Sequence, residues 1–508
     1  MKNILADWRI GGLADWRIGG LADWRIGGLA VVLLAWLTLG SGLARAANAD
    51  WIGDSAAAPH DYDINNGANF NISRIPTADD MMNFWAGAGS ASTAIQNSAA
   101  DDDLAVSSII FQTQNNLTFD GGRIKFGTGN NEYSGFTFDV MTTSTQTFNT
   151  NILLSAKNLI LQPRNGTASV GGKIIITGTV FNGRDNNGAL GIWQGLGVNT
   201  SVYINEFVIA QLDSTANHTS TIGASNLGWL SYRQSGTITI KTLNNGAGNN
   251  GAGVNSVTVS NLDNDMMSVG GTNNVHTGTY ANTKVVITGS GSYTGNTTVS
   301  GHGILILDGE ADLSSSASLK VQANSVLIHN AASTVGNLSW ESGGLIGGNG
   351  FFSQASFIGS GTHFINPGDI DGGIGKLNFS EAAYTWGGAG TELVYDWDFS
   401  DPTLGAGFGY DQLTFAGDLT LNADSYTLNL IGQGGATLDG FTGELAILTA
   451  DGILSADLDN WSAVLPSGFE LKLSDDGHSL LLSNIPEPSA WLLLGTSVAL
   501  LAFLRRRR

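Results

Sequence analysis

Three aspartate pairs have the spacing that metal binding or glycoside hydrolysis could use. They are Asp263/Asp265, Asp369/Asp371 and Asp396/Asp398. If the backbone is extended, residues i and i+2 point to the same face, so each pair would place two carboxylates side by side. Aspartate is also a frequent turn former, and a turn explains the same spacing without function. We therefore interpret the pairs as turns and predict no catalytic residue.

The segment DYDINNG (residues 61–67) has the alternating oxygen ligands of a calcium loop, Asp61, Asp63 and Asn65. Asn66 stands where such a loop requires glycine, and Ile72 stands where it requires a bidentate glutamate. A solvated turn explains this segment better than a calcium site. The sequence predicts no metal and no cofactor.

The seven histidines, among them His302 and His329, show neither a His-x-x-x-His spacing nor an association with a Gly-x-Ser-x-Gly elbow. Zinc proteases and serine hydrolases are therefore disfavoured. We expect these side chains to lie at the surface or at corners.

The elements that would position these residues are short strands. Runs with apolar or β-branched residues at alternate positions recur, for example GKIIITGTV (172–180), GTITIKTL (236–243), TKVVITG (283–289) and GILILDG (303–309). Gly, Asn, Ser and Asp separate them, and these residues favour turns. The pattern predicts an all-β protein, either a sandwich or a stacked solenoid, and glycine and asparagine at the corners favour the solenoid.

Composition excludes several classes of protein. The 508 residues include 70 glycines but only 8 prolines, and 42% are hydrophobic, which fits neither collagen nor a disordered chain. Residues 47–504 contain 13 Lys/Arg and 40 Asp/Glu, so the body would repel nucleic acid. Cysteine is absent, which rules out disulfides and thiol chemistry.

The N-terminus has the features of a secretory signal peptide. Lys2 precedes three copies of LADWRIGG (5–28), an apolar run Leu29–Leu39, and small residues at Ala44 and Ala46. We predict cleavage after Ala46 by signal peptidase, following export through the Sec translocon, with Ala49 as the second choice. Tandem duplication explains the perfect repeat better than a role as a peptide ligand.

The C-terminus has three parts: Pro486-Glu487-Pro488, the apolar run Ala490–Leu504, and Arg505–Arg508. Fifteen helical residues rise about 22 Å, so a helix that begins at Pro488 would span the roughly 30 Å hydrocarbon core only marginally. Terminal arginines favour the cytoplasmic side, which would place the body across the membrane. The sequence therefore predicts a C-terminal transmembrane helix.

This tail resembles the PEP-CTERM sorting signal of Gram-negative bacteria. The residues that carry the resemblance are Pro486, Glu487, Pro488, Ala490–Leu504, Arg505, Arg506, Arg507 and Arg508. The resemblance implies that an exosortase, an integral membrane transpeptidase, cuts near Pro-Glu-Pro and releases or reattaches the body. The alternative is a permanent membrane anchor.

The segment VVITGSGSYTGNTTVSGHGILILDG (285–309) resembles the autotransporter-associated β-strand repeat. Thr288–Gly295 and Thr297–Gly301 carry the likeness, and weaker likeness continues in 343–352, 365–379 and 409–422. The resemblance implies a right-handed parallel β-solenoid.

These features predict five regions. They are the signal peptide (1–46), an irregular N-terminal lead-in (47–103), the β-solenoid (104–390), a C-terminal β region or cap (391–484) and the sorting tail (485–508).

The function expected from these regions is structural. An exported, acidic protein held briefly at the inner membrane would then join the cell envelope, the cell surface or an exopolysaccharide matrix such as a biofilm. The alternatives are a polysaccharide lyase or hydrolase, since solenoids host such enzymes, and a surface adhesin. A lyase for acidic sugars needs clustered basic residues, and 13 are too thinly spread, so we expect no enzyme.

Overall fold

The computed structural model describes residues 48–52, 62–64, 66–84, 92–97, 104–113, 115–126, 133–138, 144–154, 158–163, 173–182, 190–194, 201–209, 219–224, 237–245, 256–260, 284–369, 372–485 and 505. The chain divides into two units, residues 1–46 and 47–508, and every described residue belongs to the second.

The described residues form four sheets, and nearly all of their strands pair in parallel with strands one coil earlier and one coil later. Within this part of the chain the first sheet has 12 strands: Asn48–Trp51, Met81–Phe84, Ser108–Phe111, Tyr133–Phe138, Asn158–Pro163, Leu190–Gln194, Thr219–Ala224, Ser256–Ser260, Asn296–Ser300, Ser318–Val321, Leu338–Glu341 and Ala355–Ile358.

The second sheet lies on another side of the coils. Its 17 strands in the described residues are Ser92–Asn97, Leu104–Val106, Asn116–Gly121, Ile124–Phe126, Thr145–Phe148, Ile152–Leu154, Lys173–Asn182, Ser201–Ile209, Thr237–Asn245, Lys284–Ile287, Ile304–Leu307, Val326–His329, Leu345–Gly348, Gly361–Pro367, Thr391–Phe399, Ser425–Gly432 and Trp461–Ala463.

Two smaller sheets complete the C-terminal coils. The third sheet contains Thr334–Val335, Phe351–Phe352, Lys376–Phe379, Gln412–Phe415, Glu444–Ala450, Phe469–Leu473 and Ser479–Asn484. The fourth contains Ala383–Trp386, Asp418–Leu421 and Leu454–Ser455. Short 3-10 helices occur at Gly67–Asn69, Pro402–Leu404, Gln433–Gly435 and Leu458–Asn460.

The register of the second sheet shows how the coils repeat. Val326 pairs with Leu345, and Leu345 pairs with Phe364, so each of these coils advances 19 residues. Because side chains alternate along a strand, Leu327 and Ile346 point into the core in successive coils. The same position is thus apolar in these successive coils, and the core continues along this part of the stack.

Aromatic rings stack in the C-terminal part of this core. Phe352, Phe379 and Phe415 occupy one position in successive coils of the third sheet. Their ring centroids lie 5.6 Å and then 4.8 Å apart, with nearly parallel planes. Such offset stacks add to the stabilisation that burial alone provides.

Glycine is required where one coil turns tightly against another. Gly348 has φ of +107°, and a Cβ there would lie 2.2 Å from the carbonyl oxygen of His329 in the preceding coil. A side chain at this corner would be strained and would also overlap backbone.

The parallel pairing extends beyond the predicted solenoid in both directions. Asn48–Trp51 already pairs in parallel with Met81–Phe84, within the segment predicted as an irregular lead-in. Parallel pairing continues to Trp461–Ala463, and only Phe469–Leu473 and Ser479–Asn484 close the third sheet with antiparallel pairs. The five predicted boundaries themselves stay predictions.

The segment 285–309 covers one full coil, from one strand of the second sheet to the next strand of that sheet. Lys284–Ile287 pairs with Ile304–Leu307 in the second sheet, and Asn296–Ser300 lies in the first sheet between them in sequence. At the corner, the buried Tyr293 accepts a hydrogen bond from the backbone N–H of Val257 (3.1 Å) and donates one to the carbonyl of Asn296. Tyr293 thereby joins two coils.

The prediction of an all-β fold of stacked parallel strands is confirmed. The predicted handedness stays a prediction. The predicted signal helix and transmembrane helix fall within residues 1–46 and 488–504, which lie outside the described residues.

Candidate functional site

The structure places one of the three aspartate pairs on a strand. Asp396 and Asp398 lie in Thr391–Phe399, so the interpretation of this pair as a turn was wrong. Tyr395, Trp397 and Phe399 alternate with them and are buried, and this apolar alternation holds the segment extended. Asp263, Asp265 and Asp371 lie outside the described residues.

The two carboxylates share the outer face of the strand, as expected for an extended backbone, but their surroundings differ. Asp396 accepts a hydrogen bond from the side-chain amide of Asn429 in the next coil (2.7 Å) at an exposed position. Asp398 is only 1% exposed and accepts a hydrogen bond from the amide of Gln433 (2.5 Å). The side chain of Asn366 also donates to Asp398, at 3.3 Å, when its amide is oriented to satisfy its neighbours.

A second buried carboxyl group, Asp411, lies beside Asp398 and is fully buried. Its two oxygens accept backbone hydrogen bonds from different segments: one from the N–H of Gly375 (2.7 Å) and one from the N–H of Asp398 (2.9 Å). Its own carbonyl accepts from the indole N–H of Trp397. Asp411 thus connects three segments of neighbouring coils.

Burial dominates the electrostatics of this pair. It raises the pKa of Asp411 to about 9, against the opposing effect of the two backbone N–H donors, and the negative charge of Asp398 raises it further. Burial also raises the pKa of Asp398, while its bonds to Gln433 and Asn366 lower it. Water and a substrate do not reach a carboxyl that is fully buried, so Asp411 is suited to holding segments together rather than to proton transfer.

Asp411 is not among the residues that the sequence singles out. It precedes the strand Gln412–Phe415 without a recognisable motif, and turn-forming aspartates are common in this chain. Its role depends on contacts with Gly375 and Asp398, which are distant in sequence.

The candidate calcium segment forms a turn as far as it is described. Asn66 caps the 3-10 helix Gly67–Asn69, where its side chain accepts a hydrogen bond from the N–H of Ala68 (3.0 Å). Asn69 donates to the carbonyl of Asp63 (2.9 Å). Asp61 and Asn65 lie outside the described residues, and among the described residues no group of three or more metal-ligating side chains is present.

Two histidines lie in the core, contrary to the expectation that these side chains lie at the surface or at corners. His329 is fully buried against Phe352, and its Nε2 lies 2.9 Å from the carbonyl of Ser333. His363 is also fully buried, and its Nδ1 lies 3.1 Å from the carbonyl of Gly361. Burial lowers the pKa of both side chains, so they are neutral aromatic residues of the core. His302 lies at a corner with φ of +63°, as expected.

The last described strands lead directly to the sorting tail. After Ser479–Asn484, the N–H of Ile485 donates to the carbonyl of Gly468 (2.6 Å), and Pro486 follows. The predicted sorting residues Pro486, Glu487, Pro488, Arg506, Arg507 and Arg508, and the predicted signal residues Ala44 and Ala46, lie outside the described residues. Arg505 is described and exposed.

None of the helices in the described residues is both long enough and apolar enough to cross a membrane.

Comparison with known families identifies the C-terminal segment of the chain. Residues 484–508 match the PEP-CTERM protein-sorting motif. The match begins within the last residues of the closing strand and contains all of the predicted sorting residues. The motif indicates an exported protein of the cell envelope that is processed by an exosortase, which is a membrane protein. A comparison with curated proteins gives no significant match.

Proposed function

We propose that this chain is a structural protein of the cell surface or extracellular matrix of a Gram-negative bacterium. Its signal peptide directs export through the Sec translocon, and its C-terminal helix holds it transiently in the inner membrane. Exosortase then cuts near Pro486–Pro488, and the body associates with exopolysaccharide.

The observation that carries this proposal is the position of the sorting motif. The motif at 484–508 begins at Asn484, the last residue of the strand that closes the third sheet. A cut near Pro486 would therefore release the stack of coils with all of its described hydrogen bonds intact. Proline disfavours helical backbone at the residue before it, so the residue types Pro486 and Pro488 favour a junction that a transpeptidase can reach.

We propose further that the body has no catalytic activity. The aspartate pair that is best placed for chemistry, Asp396 and Asp398, is held by amide groups from neighbouring coils, and Asp398 is buried. The acidic composition also disfavours the binding of uronate polymers at a catalytic groove. The region 285–309 supports a relation to the autotransporter-associated β-strand repeat, because its strands and corners follow the order of that repeat.

The test compares a host strain with and without its exosortase. We expect the protein in the extracellular or surface fraction of the parent strain and in the inner-membrane fraction of the deletion strain. Equal distribution in the two strains would contradict sorting. Incubation of the purified protein with uronate polymers should give no unsaturated products, and clear turnover would favour a lyase.

A further inference from the structure

The chain leaves the stack of coils between two loops. The closing strand Ser479–Asn484 lies between the strands Glu444–Ala450 and Phe469–Leu473 of the third sheet and runs antiparallel to both. In an antiparallel pair, the end of one strand lies beside the start of its partner. The C-terminal end of the closing strand therefore lies beside the loops that lead into the other two strands.

Backbone hydrogen bonds hold the chain to both loops up to the residue before the first proline of the sorting motif. The N–H of Asn484 donates to the carbonyl of Gly443 (3.0 Å), and the N–H of Ile485 donates to the carbonyl of Gly468 (2.6 Å). Pro486 has no N–H and cannot donate the next such bond. The chain is thus anchored to the body through Ile485, directly before the residues that an exosortase would recognise.

We call the surface around this point the exit collar, and it consists of residues 441–443, 464–468 and Ile485. Val464 is 94% exposed and Ile485 is 44% exposed, so the collar presents apolar side chains to solvent. The N–H of Phe469 donates to the carbonyl of Pro466 (3.2 Å), which closes a tight turn within the collar. None of the collar residues is charged, although the body as a whole is strongly acidic. The collar is therefore an uncharged, partly apolar surface at the point where the sorting tail begins.

The short connection to the tail keeps the collar near the membrane. Four residues, 486–489, separate Ile485 from the apolar run that begins at Ala490. The five steps from Ile485 to Ala490 span at most about 18 Å when the chain is fully extended. While the apolar run lies in the bilayer, Ile485 and the collar around it therefore stay close to the membrane in which an exosortase lies.

An enzyme that holds the Pro-Glu-Pro motif in its active site must also approach the collar. Consecutive Cα atoms are about 3.8 Å apart, so the Cα of Glu487 lies at most about 7.6 Å from that of Ile485. A specific protein–protein interface covers about 800 Å² on each partner, which is wider than this distance. The collar therefore falls within the surface that the bound enzyme covers.

We propose that the exit collar is a second recognition surface for the exosortase, beside the Pro-Glu-Pro motif. An enzyme with an uncharged, apolar rim around its active site fits the collar, because burial of an apolar side chain such as Val464 is favourable. Contact with the collar would orient the adjoining bond for cleavage and thereby raise the rate. The proposal rests on sorting by exosortase under Proposed function, and it specifies which part of the folded body the enzyme contacts.

The experiment follows processing of the full chain in the host strain by pulse labelling, with loss of the C-terminal peptide as the readout. Val464→Lys places a charge on the collar. Ile453→Lys is the matched control, because Ile453 is 66% exposed in the same last coil. Its neighbour Leu454 bonds to Gly477, in the turn at the opposite end of the closing strand from the collar. Thermal unfolding of the purified variants checks that the fold is retained.

A second variant leaves the collar itself unchanged. Six residues, Gly-Ser-Gly-Ser-Gly-Ser, inserted between Ile485 and Pro486 allow the motif to move up to about 20 Å away from the body. If the collar contributes to recognition, this spacer slows processing. Val464→Lys added to the spacer variant should then have no further effect, because both changes remove the same contact.

We expect the exosortase to process Val464→Lys at least fivefold more slowly than wild type, and Ile453→Lys within twofold of wild type. The spacer variant should also be processed at least fivefold more slowly. Wild-type rates for Val464→Lys or for the spacer variant, or equal slowing by both lysine substitutions, would refute the collar as a recognition surface while leaving sorting intact. A wild-type chain that the exosortase does not process would instead refute the sorting proposal itself.

Discussion

The buried carboxyl of Asp411 should make the stability of this protein depend on pH. Its pKa in the folded chain is about 9, against an ordinary value of 3.8. Below pH 3.8 the Asp411 carboxyl holds its proton in both the folded and the unfolded chain. Its contribution to the free energy of unfolding is then at its maximum. As pH rises, the unfolded chain releases its proton while the folded chain keeps it, so stability falls until pH passes about 9.

The magnitude follows from the interval between the two pKa values. Each pH unit in that interval lowers the free energy of unfolding by about 1.36 kcal/mol, so Asp411 contributes a loss of about 4 kcal/mol between pH 4.5 and 7.5. Asp411→Asn keeps the shape of the side chain but cannot ionise. We therefore expect a shallower pH dependence in the variant.

The assay is denaturant unfolding of wild type, Asp411→Asn and the control Asp439→Asn at four pH values from 4.5 to 7.5. Asp439 is exposed, so its variant should run parallel to wild type. The difference between wild type and Asp411→Asn should change by about 4 kcal/mol across this range, and contributions from carboxylates that do not interact with Asp411 cancel in it. A constant difference would mean that the N–H groups of Gly375 and Asp398 keep Asp411 ionised, and the reasoning would fail.

Three other substitutions test the stacking of the coils by chemical denaturation. Gly348→Ala should lower the free energy of unfolding by about 2–4 kcal/mol, because its Cβ would overlap backbone and its φ is positive. Gly359→Ala is the control: its φ is +82° but the space around it is open, so it should lose only about 1 kcal/mol. Equal losses in the two variants would argue against a tight contact between coils at Gly348. Phe379→Ala should cost about 3–5 kcal/mol, since it removes the central ring of a buried stack; a loss below 1 kcal/mol would contradict that packing. Tyr293→Phe should cost about 1–2 kcal/mol through its two lost hydrogen bonds, and an unchanged midpoint would show that they do not stabilise the corner.

The sequence predicts several strands of the second sheet well. The alternating runs at 172–180, 236–243 and 303–309 correspond to Lys173–Asn182, Thr237–Asn245 and Ile304–Leu307. Their periodicity is clear because one face of each strand is buried in every coil.

Other elements could not be predicted because their determinants are distant in sequence. Two-residue strands such as Thr334–Val335 and Phe351–Phe352 are too short for a periodic pattern and form only because a neighbouring coil pairs with them. Asp398 and Asp411 look like any other aspartate in the sequence. They are buried because residues of other coils, such as Gln433 and Gly375, pack over them. The first sheet ends at Ala355–Ile358 and the fourth begins at Ala383–Trp386. This change of sheet depends on how successive coils align with each other, and the local sequence pattern does not show that alignment.

The central claim is that the coils are exported and then separated from the tail. Mass spectrometry of the C-terminal peptide from the exported protein tests it most directly. We expect the recovered peptides to end close to Pro486–Pro488 and none of them to contain Arg508. An intact C-terminus through Arg508 in the fully exported protein would contradict it.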